Sequence, residues 1–269
     1  MNRPKAQKRT NHACGPHALA VLLVMILMAG GVGFAGQIQI GVHAGLSVPN
    51  IRGGNDEFSR GFTSRKGPYF GFSADFPLAS HFSLRAEVNY ASQGGKRNGI
   101  QPIITELPGL TLPPDLILYA DFHNETILDY IEIPLLAELS WGNKPRFFVN
   151  AGPYVGFLLR AKTVTSGMSS IFLDSAGTQP LLIPPDYQPL PPVSFDATTD
   201  VKESINDLNA GIAGGAGLGI PLGPGDLVAA FHFSLGFKNI QKDIATGGKT
   251  NTGALIVTLG YSLPLKGSK

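Results

Sequence analysis

Cysteine is nearly missing from this chain. Cys14 is the single one, and one thiol excludes an intrachain disulfide and any cysteine-built metal cluster. Charge is scarce too, at 15% of residues, which is low for a surface wetted on all sides. It nearly cancels, to a net +2, so nothing points to a nucleic-acid partner. Part of the positive share lies in Arg3, Lys5, Lys8 and Arg9. The histidines make no zinc set: His43, His81, His123 and His232 lack the i, i+4 or close loop spacing such a site needs. No metal or cofactor is expected. After the N-terminal region no apolar run reaches the roughly 20 residues of a membrane-spanning helix.

That N-terminal region reads as an export signal over residues 1–36. A basic start precedes an apolar core at 18–29, of the length of a signal h-region. Gly33 and Ala35 then satisfy the small-residue rule for cleavage near Ala35. The rival, a membrane anchor, asks for a longer core. Residues 37–269 are left as one domain.

What the chain has in abundance is glycine, 34 residues, and alternation. Residues 128–140 place Ile131, Ile133, Leu135, Ala137 and Leu139 on one face and Tyr130, Glu132, Pro134, Glu138 and Ser140 on the other. Period 2 over such a length predicts a strand with two different solvents on its faces. The device recurs in eight segments: 37–49, 68–78, 82–93, 128–140, 147–160, 208–221, 227–238 and 254–265. One face carries Phe, Leu, Val and Ile; the other carries Gly, Ser, Asn, His and charges. A soluble barrel or sandwich would bury the apolar face and wet the other. Here the polar face is built of small residues, as suits the narrow interior of an eight-stranded barrel. The connections at 78–81, 141–146 and 221–226 are short; those at 50–67, 94–127, 163–207 and 239–253 are long. Strict interleaving of short and long is the pattern of periplasmic turns and extracellular loops. The expected fold is all-β: an eight-stranded antiparallel transmembrane β-barrel.

With this register, Asp75, Arg85, Glu87, Glu132, Glu138 and Arg160 point into the lumen, with Glu87 and Glu132 within reach of Arg85. Charges in a narrow interior must be paired or solvated. They form either a salt-bridge plug or a gate whose pairs rearrange to open a water path. Trp141, Phe147 and Tyr261 fall where an aromatic girdle meets the membrane interface. Asp121, His123 and Asp129 lie near the extracellular rim, where a hydrolase could be built, but no nucleophile motif accompanies them, and no catalytic residue is assigned. Gly211-Ile-Ala-Gly-Gly-Ala-Gly217 lacks the lysine and helix of a phosphate loop and reads as a row of inner-face glycines.

Several of these stretches resemble the outer-membrane β-barrel family that includes the PorT-type proteins of Bacteroidetes. They are Gly41-Val-His-Ala-Gly-Leu-Ser47, Phe76-Pro-Leu-Ala-Ser-His-Phe-Ser-Leu-Arg-Ala-Glu87, Tyr90-Ala-Ser-Gln-Gly94, Asp129-Tyr-Ile-Glu-Ile-Pro-Leu135, Ala151-Gly-Pro-Tyr-Val-Gly-Phe-Leu158 and Leu235-Gly-Phe-Lys-Asn-Ile240. The resemblance implies a small barrel in the outer membrane of a Gram-negative cell, with a founding type linked to protein secretion. The partners expected are outer-membrane lipid, the barrel assembly machinery, and a protein met through loops 94–127 and 163–207. A narrow gated pore is the rival function, and a rim-active enzyme the next.

Overall fold

The computed structural model describes residues 36–53, 57–103, 113, 116–243 and 248–265. Residues 1–35 of the expected signal lie outside them. Eight long strands make one antiparallel ring: β1 Gln39–Gly53, β2 Gly67–Pro77, β3 Phe82–Ile103, β4 Leu118–Gly142, β5 Arg146–Ser166, β6 Leu208–Leu222, β7 Gly225–Gly236 and β8 Thr250–Pro264. Every strand pairs with its sequence neighbours, and β1 pairs with β8 from Gln39↔Pro264 to Gly53↔Thr250. Closure leaves no edge to satisfy in hydrocarbon. Among the described residues no helix is long and apolar enough to cross a membrane; the crossing is made by strands.

The wall is inside-out relative to a soluble barrel. Phe72, Leu259, Leu46 and Val42 point outward and are 68%, 63%, 59% and 53% exposed, while Asn89, Glu87 and Asp75 point inward and are buried. Glycine lets large inner side chains lie across the neighbouring strand. A Cβ on Gly217 of β6 would come within 2.4 Å of the Phe148 ring of β5. One on Gly211 would meet the Tyr154 ring at 2.8 Å. The inner-face glycine row is therefore the space that Phe148 and Tyr154 fill.

The two longest connections are more structured than alternation foretells. β3 and β4 stay paired beyond the membrane to Ile103↔Leu118, so residues 94–103 and 118–127 make a two-stranded arm. β5 runs on to Ser166 and takes a short extra strand, Ala197–Asp200, on its side. Between them residues 166–196 fold back on the arm, joined by the Tyr119↔Phe172 bridge. The reason is an apolar face that alternation alone does not assign to a partner. Leu118, Ala120 and Phe122 of β4 pack on Ile171 and Leu181, with Phe122 and Phe195 stacked at 4.6 Å.

A second apolar cluster closes the mouth of the barrel. Ile51, Leu128, Tyr130, Leu158 and Ala161 come from the wall, and Ile205 and Ile240 from the connections above it. Below this cap the interior mixes polar and charged groups with Tyr69, Leu136, Phe148 and Ile256.

Candidate functional site

The lumen is organised by Arg85 of β3. Its guanidinium meets Glu87 at 2.6 Å, Glu138 of β4 at 3.2 Å and Asp75 of β2 at 3.5 Å. These residues come together because the register sets Asp75 opposite Arg85 and Ser83 opposite Glu138, all on the inner face. The Arg85 guanidinium also lies 5.6 Å from the centre of the Phe148 ring, a cation–π distance. Three carboxylates outnumber one guanidinium, and neutral donors share the excess. The Asn150 amide donates to Glu138 at 3.3 Å, and the Asn89 amide donates to Glu87 at 2.9 Å. Asn89 in turn meets His43 Nε2 at 2.9 Å, and the His43 ring stacks on Tyr69.

Glu132 does not join this cluster. It is 4% exposed and accepts a hydrogen bond from Gln93 Nε2 at 2.9 Å, while Gln93 also reaches Ser234 on the opposite wall. A void of about 10 Å³ lies between Glu132, Glu87, His232 and Tyr69, room for at most one water. Higher up, the Asn209 amide donates to Tyr154 and Thr252 at 3.3 and 2.8 Å. The lumen is thus bridged by side chains at successive levels.

Arg160 is the correction to the expected set. It does not enter the lumen: its side chain is 58% exposed on the outer wall and pairs with Asp129 at 2.6 Å. The cause is a β-bulge. Asp129 pairs with Arg160 but Tyr130 pairs with Leu158, so Leu159 is one extra residue. A bulge shifts the face of everything beyond it, and Leu159 and Arg160 both point out. Asp129 is buried beneath Arg160 and accepts from the Ser92 hydroxyl at 2.7 Å.

The aromatic set is spread around the wall. Trp141 and Phe147 flank one short turn, 50% and 41% exposed, with rings 6.4 Å apart. Tyr261 lies on β8 at the same end and donates to the Leu222 carbonyl at 2.7 Å. The rim residues do not converge. Asp121 and His123 are exposed on the arm. Asp129 lies eight residues from Asp121 on the same strand, roughly 27 Å at strand rise. Among the described residues no three His, Cys, Asp or Glu side chains gather in a metal-binding group.

Lumen residues outside the expected charge set include Gln93, Asn89, Asn150 and His43. Each occupies an inner-face position of its strand, so parity marks it. Arg65 gave no such signal. It lies between strands, yet it is buried and donates to Glu125 at 2.8 Å, the Ser92 hydroxyl at 3.0 Å and the Gln93 carbonyl at 3.1 Å. It fastens residues 57–66 to the base of the arm. Burial pushes the Glu125 carboxyl up, but the Arg65 hydrogen bond and charge, with Lys96 beside it, outweigh that and hold it below the usual range. Tyr119, higher on the arm, is pushed up to about 12 by burial and by its hydrogen bond to Glu57.

The fold is similar to that of solved barrels. Ail, the attachment invasion locus protein of Yersinia pestis, is 10% identical over 84% of this chain and 99% of its own, with a TM-score of 0.36. The outer membrane protein OprG from Pseudomonas aeruginosa is 10% identical over 87% and 99%, at 0.39. The N-terminal β-barrel domain of OprF from the same organism is 10% identical over 85% and 99%, at 0.36. No curated protein has a significantly similar sequence. Residues 6–242 match the family model of the outer membrane protein beta-barrel domain, and this chain belongs to that family of the outer membrane.

Proposed function

We propose that the protein is a closed, non-conducting scaffold of the outer membrane that presents its β3–β4 arm and residues 166–196 to a protein partner. The observation that carries this reading is the division of the interior. The lumen is bridged by Arg85 and its carboxylates and capped by an apolar cluster, while the arm has an apolar core of its own. A pore needs the first region open; a docking surface needs the second region rigid. The barrel assembly machinery is the partner during insertion, and lipid is held at the short-turn end by Trp141, Phe147 and Tyr261. The stretches Tyr130-Ile-Glu-Ile-Pro134 and Gly152-Pro-Tyr-Val-Gly156 support the finer assignment to the PorT-like type, and with it a place beside a secretion apparatus.

Two measurements test it. In a planar bilayer the purified protein stays silent, and Glu132→Ala stays silent too; steps of conductance that change with Glu132→Ala would establish the gated pore instead. On whole cells, a photo-crosslinker at Tyr187, 67% exposed on the folded-back segment, captures a defined partner. Phe122→Ala, which removes about 3 kcal/mol of packing from the arm core, abolishes that capture while the barrel keeps its heat-dependent gel shift.

A further inference from the structure

The extracellular ends of the strands are split by charge. Residues 163–207 carry Asp174, Asp186, Asp196, Asp200, Glu203 and Asp207 against Lys202 alone. Beside them, joined at the Ile205↔Gln241 bridge, residues 237–249 carry Lys238, Lys242 and Lys249 against Asp243, and Arg52 lies one residue from the end of β1. Asp174, Asp186 and Asp196 belong to the part folded onto the tall arm. The basic part belongs to the β7–β8 connection, which meets the end of the acidic segment through Asn206 N–H to the Ile240 carbonyl at 2.8 Å and Lys242 N–H to the Ser204 carbonyl at 2.9 Å.

Within the basic part three cations are tied to one place. Arg52 lies directly opposite Asn251 in the β1–β8 register. Its guanidinium crosses Gly253, whose Cβ would meet Arg52 Nε at 3.3 Å, and donates to the Gly236 carbonyl at 3.1 Å and the Thr252 carbonyl at 3.4 Å. Asn251 Nδ2 donates to the Lys238 carbonyl at 2.9 Å, and Lys249 is two residues from Asn251. Arg52, Lys238 and Lys249 are all exposed. Among the described residues no carboxylate forms an ion pair with them. Arg160 on the other side is instead neutralised by Asp129. Below the cations the outer wall is apolar: Phe237, Leu255 and Val48 are 64%, 53% and 41% exposed. A fixed guanidinium and two lysines above an apolar stripe match a molecule with a phosphate at one end and acyl chains at the other.

We infer that the outer wall where β7, β8 and β1 leave the membrane is a binding site for a phosphate-bearing lipid of the outer leaflet. Arg52 holds the phosphate, Lys238 and Lys249 flank it, and the acyl chains lie along Phe237, Leu255 and Val48. Cations near a membrane surface attract anionic headgroups in this way. The site is separate from the arm and stands whatever partner the arm takes.

The test uses the folded protein in neutral detergent, with bound lipid counted by native mass spectrometry. Phosphatidic acid, a phosphate monoester on two acyl chains, binds at least about 25-fold more tightly than phosphatidylcholine. The double variant Lys238→Ala/Lys249→Ala loses about 25-fold in phosphatidic acid affinity, roughly fivefold per cation. Lys162→Ala/Lys202→Ala, on the acidic side, loses nothing. Salt at about 1 M, where the screening length falls to roughly 3 Å, removes the preference in the unaltered protein, so the answer does not hang on the variant folding. Equal binding of the two lipids, or equal loss in both double variants, overturns the proposal. Displacement of the lipid by millimolar inorganic phosphate also overturns it, since the site would then recognise free phosphate and not a lipid.

Discussion

The lower and upper halves of β4 carry opposite patterns on the same two faces. In the membrane its inner face holds Glu138 and Glu132, and its outer face holds Leu139, Leu135, Ile133 and Ile131. Above the membrane the inner face holds Leu128, Phe122, Ala120 and Leu118, with Thr126 and Asn124 between them, and the outer face holds Asp129, Glu125, His123 and Asp121, with Ile127 and Tyr119 among them. The strand does not break and the period stays 2. What changes is the solvent. Below, the outside is hydrocarbon and the inside must take the polar groups; above, the outside is water and the apolar groups turn in to Ile171, Leu181 and Ile205. The crossing point lies between Ile131 and Asp129, at the bulge that turns Arg160 outward. A strand's faces thus report the medium around it, and a change of pattern along one strand marks the membrane surface.

The hardest test of the lower half is to remove its hub. Arg85→Ala leaves Asp75, Glu87 and Glu138 buried without their cation, and breaking a buried pair in this way costs about 3–5 kcal/mol. The urea midpoint of the refolded barrel falls accordingly. If the loss comes from unpaired charge, Arg85→Met with Glu87→Gln and Glu138→Gln recovers most of it. A midpoint that does not move would mean the lumen is wetted and its charges are solvated.

A sharper comparison places one cation on the same face at two heights. Leu135→Arg puts a charge near the middle of the lipid-facing band and costs about 2–4 kcal/mol. His123→Arg, on the same face of the arm, changes stability by no more than about 0.5 kcal/mol. Unfolding of both variants from lipid vesicles measures the difference. Similar costs at the two positions would remove the argument that the solvent changes between Ile131 and Asp129.

The smallest effect separates the halves by pH. Glu125 has its carboxyl held below the usual range in the folded arm, so it contributes stability above its unfolded pKa of about 4.3. That contribution is lost as pH falls through the lower folded value. It amounts to no more than about 1 kcal/mol for a partly exposed pair. Limited proteolysis with an acid-active protease shows residues 57–66 loosening from the arm as pH drops below about 4. Glu125→Gln shows the same loosening already at neutral pH.

Alternation made the barrel legible before any coordinates, because a strand between lipid and a packed lumen must alternate residue by residue. The number of strands, the side of each wall residue and the spacing of short and long connections follow from that requirement. So do Asp75, Arg85, Glu87 and Glu138 as inward groups, since parity carries across an unbroken register. Parity fails at Arg160, where one inserted residue shifts the count, and a bulge leaves no mark in the alternation of a strand whose flanking residues are Leu158 and Leu159. Partners across the lumen were also out of reach. That Glu132 takes Gln93 and Arg85 takes three carboxylates depends on the stagger between strands, which the order of residues along one strand does not state. The fold of residues 166–196 depends on contacts between segments far apart in the chain. Their apolar residues show that something must cover them; only the tertiary structure decides that the cover is the inner face of β4.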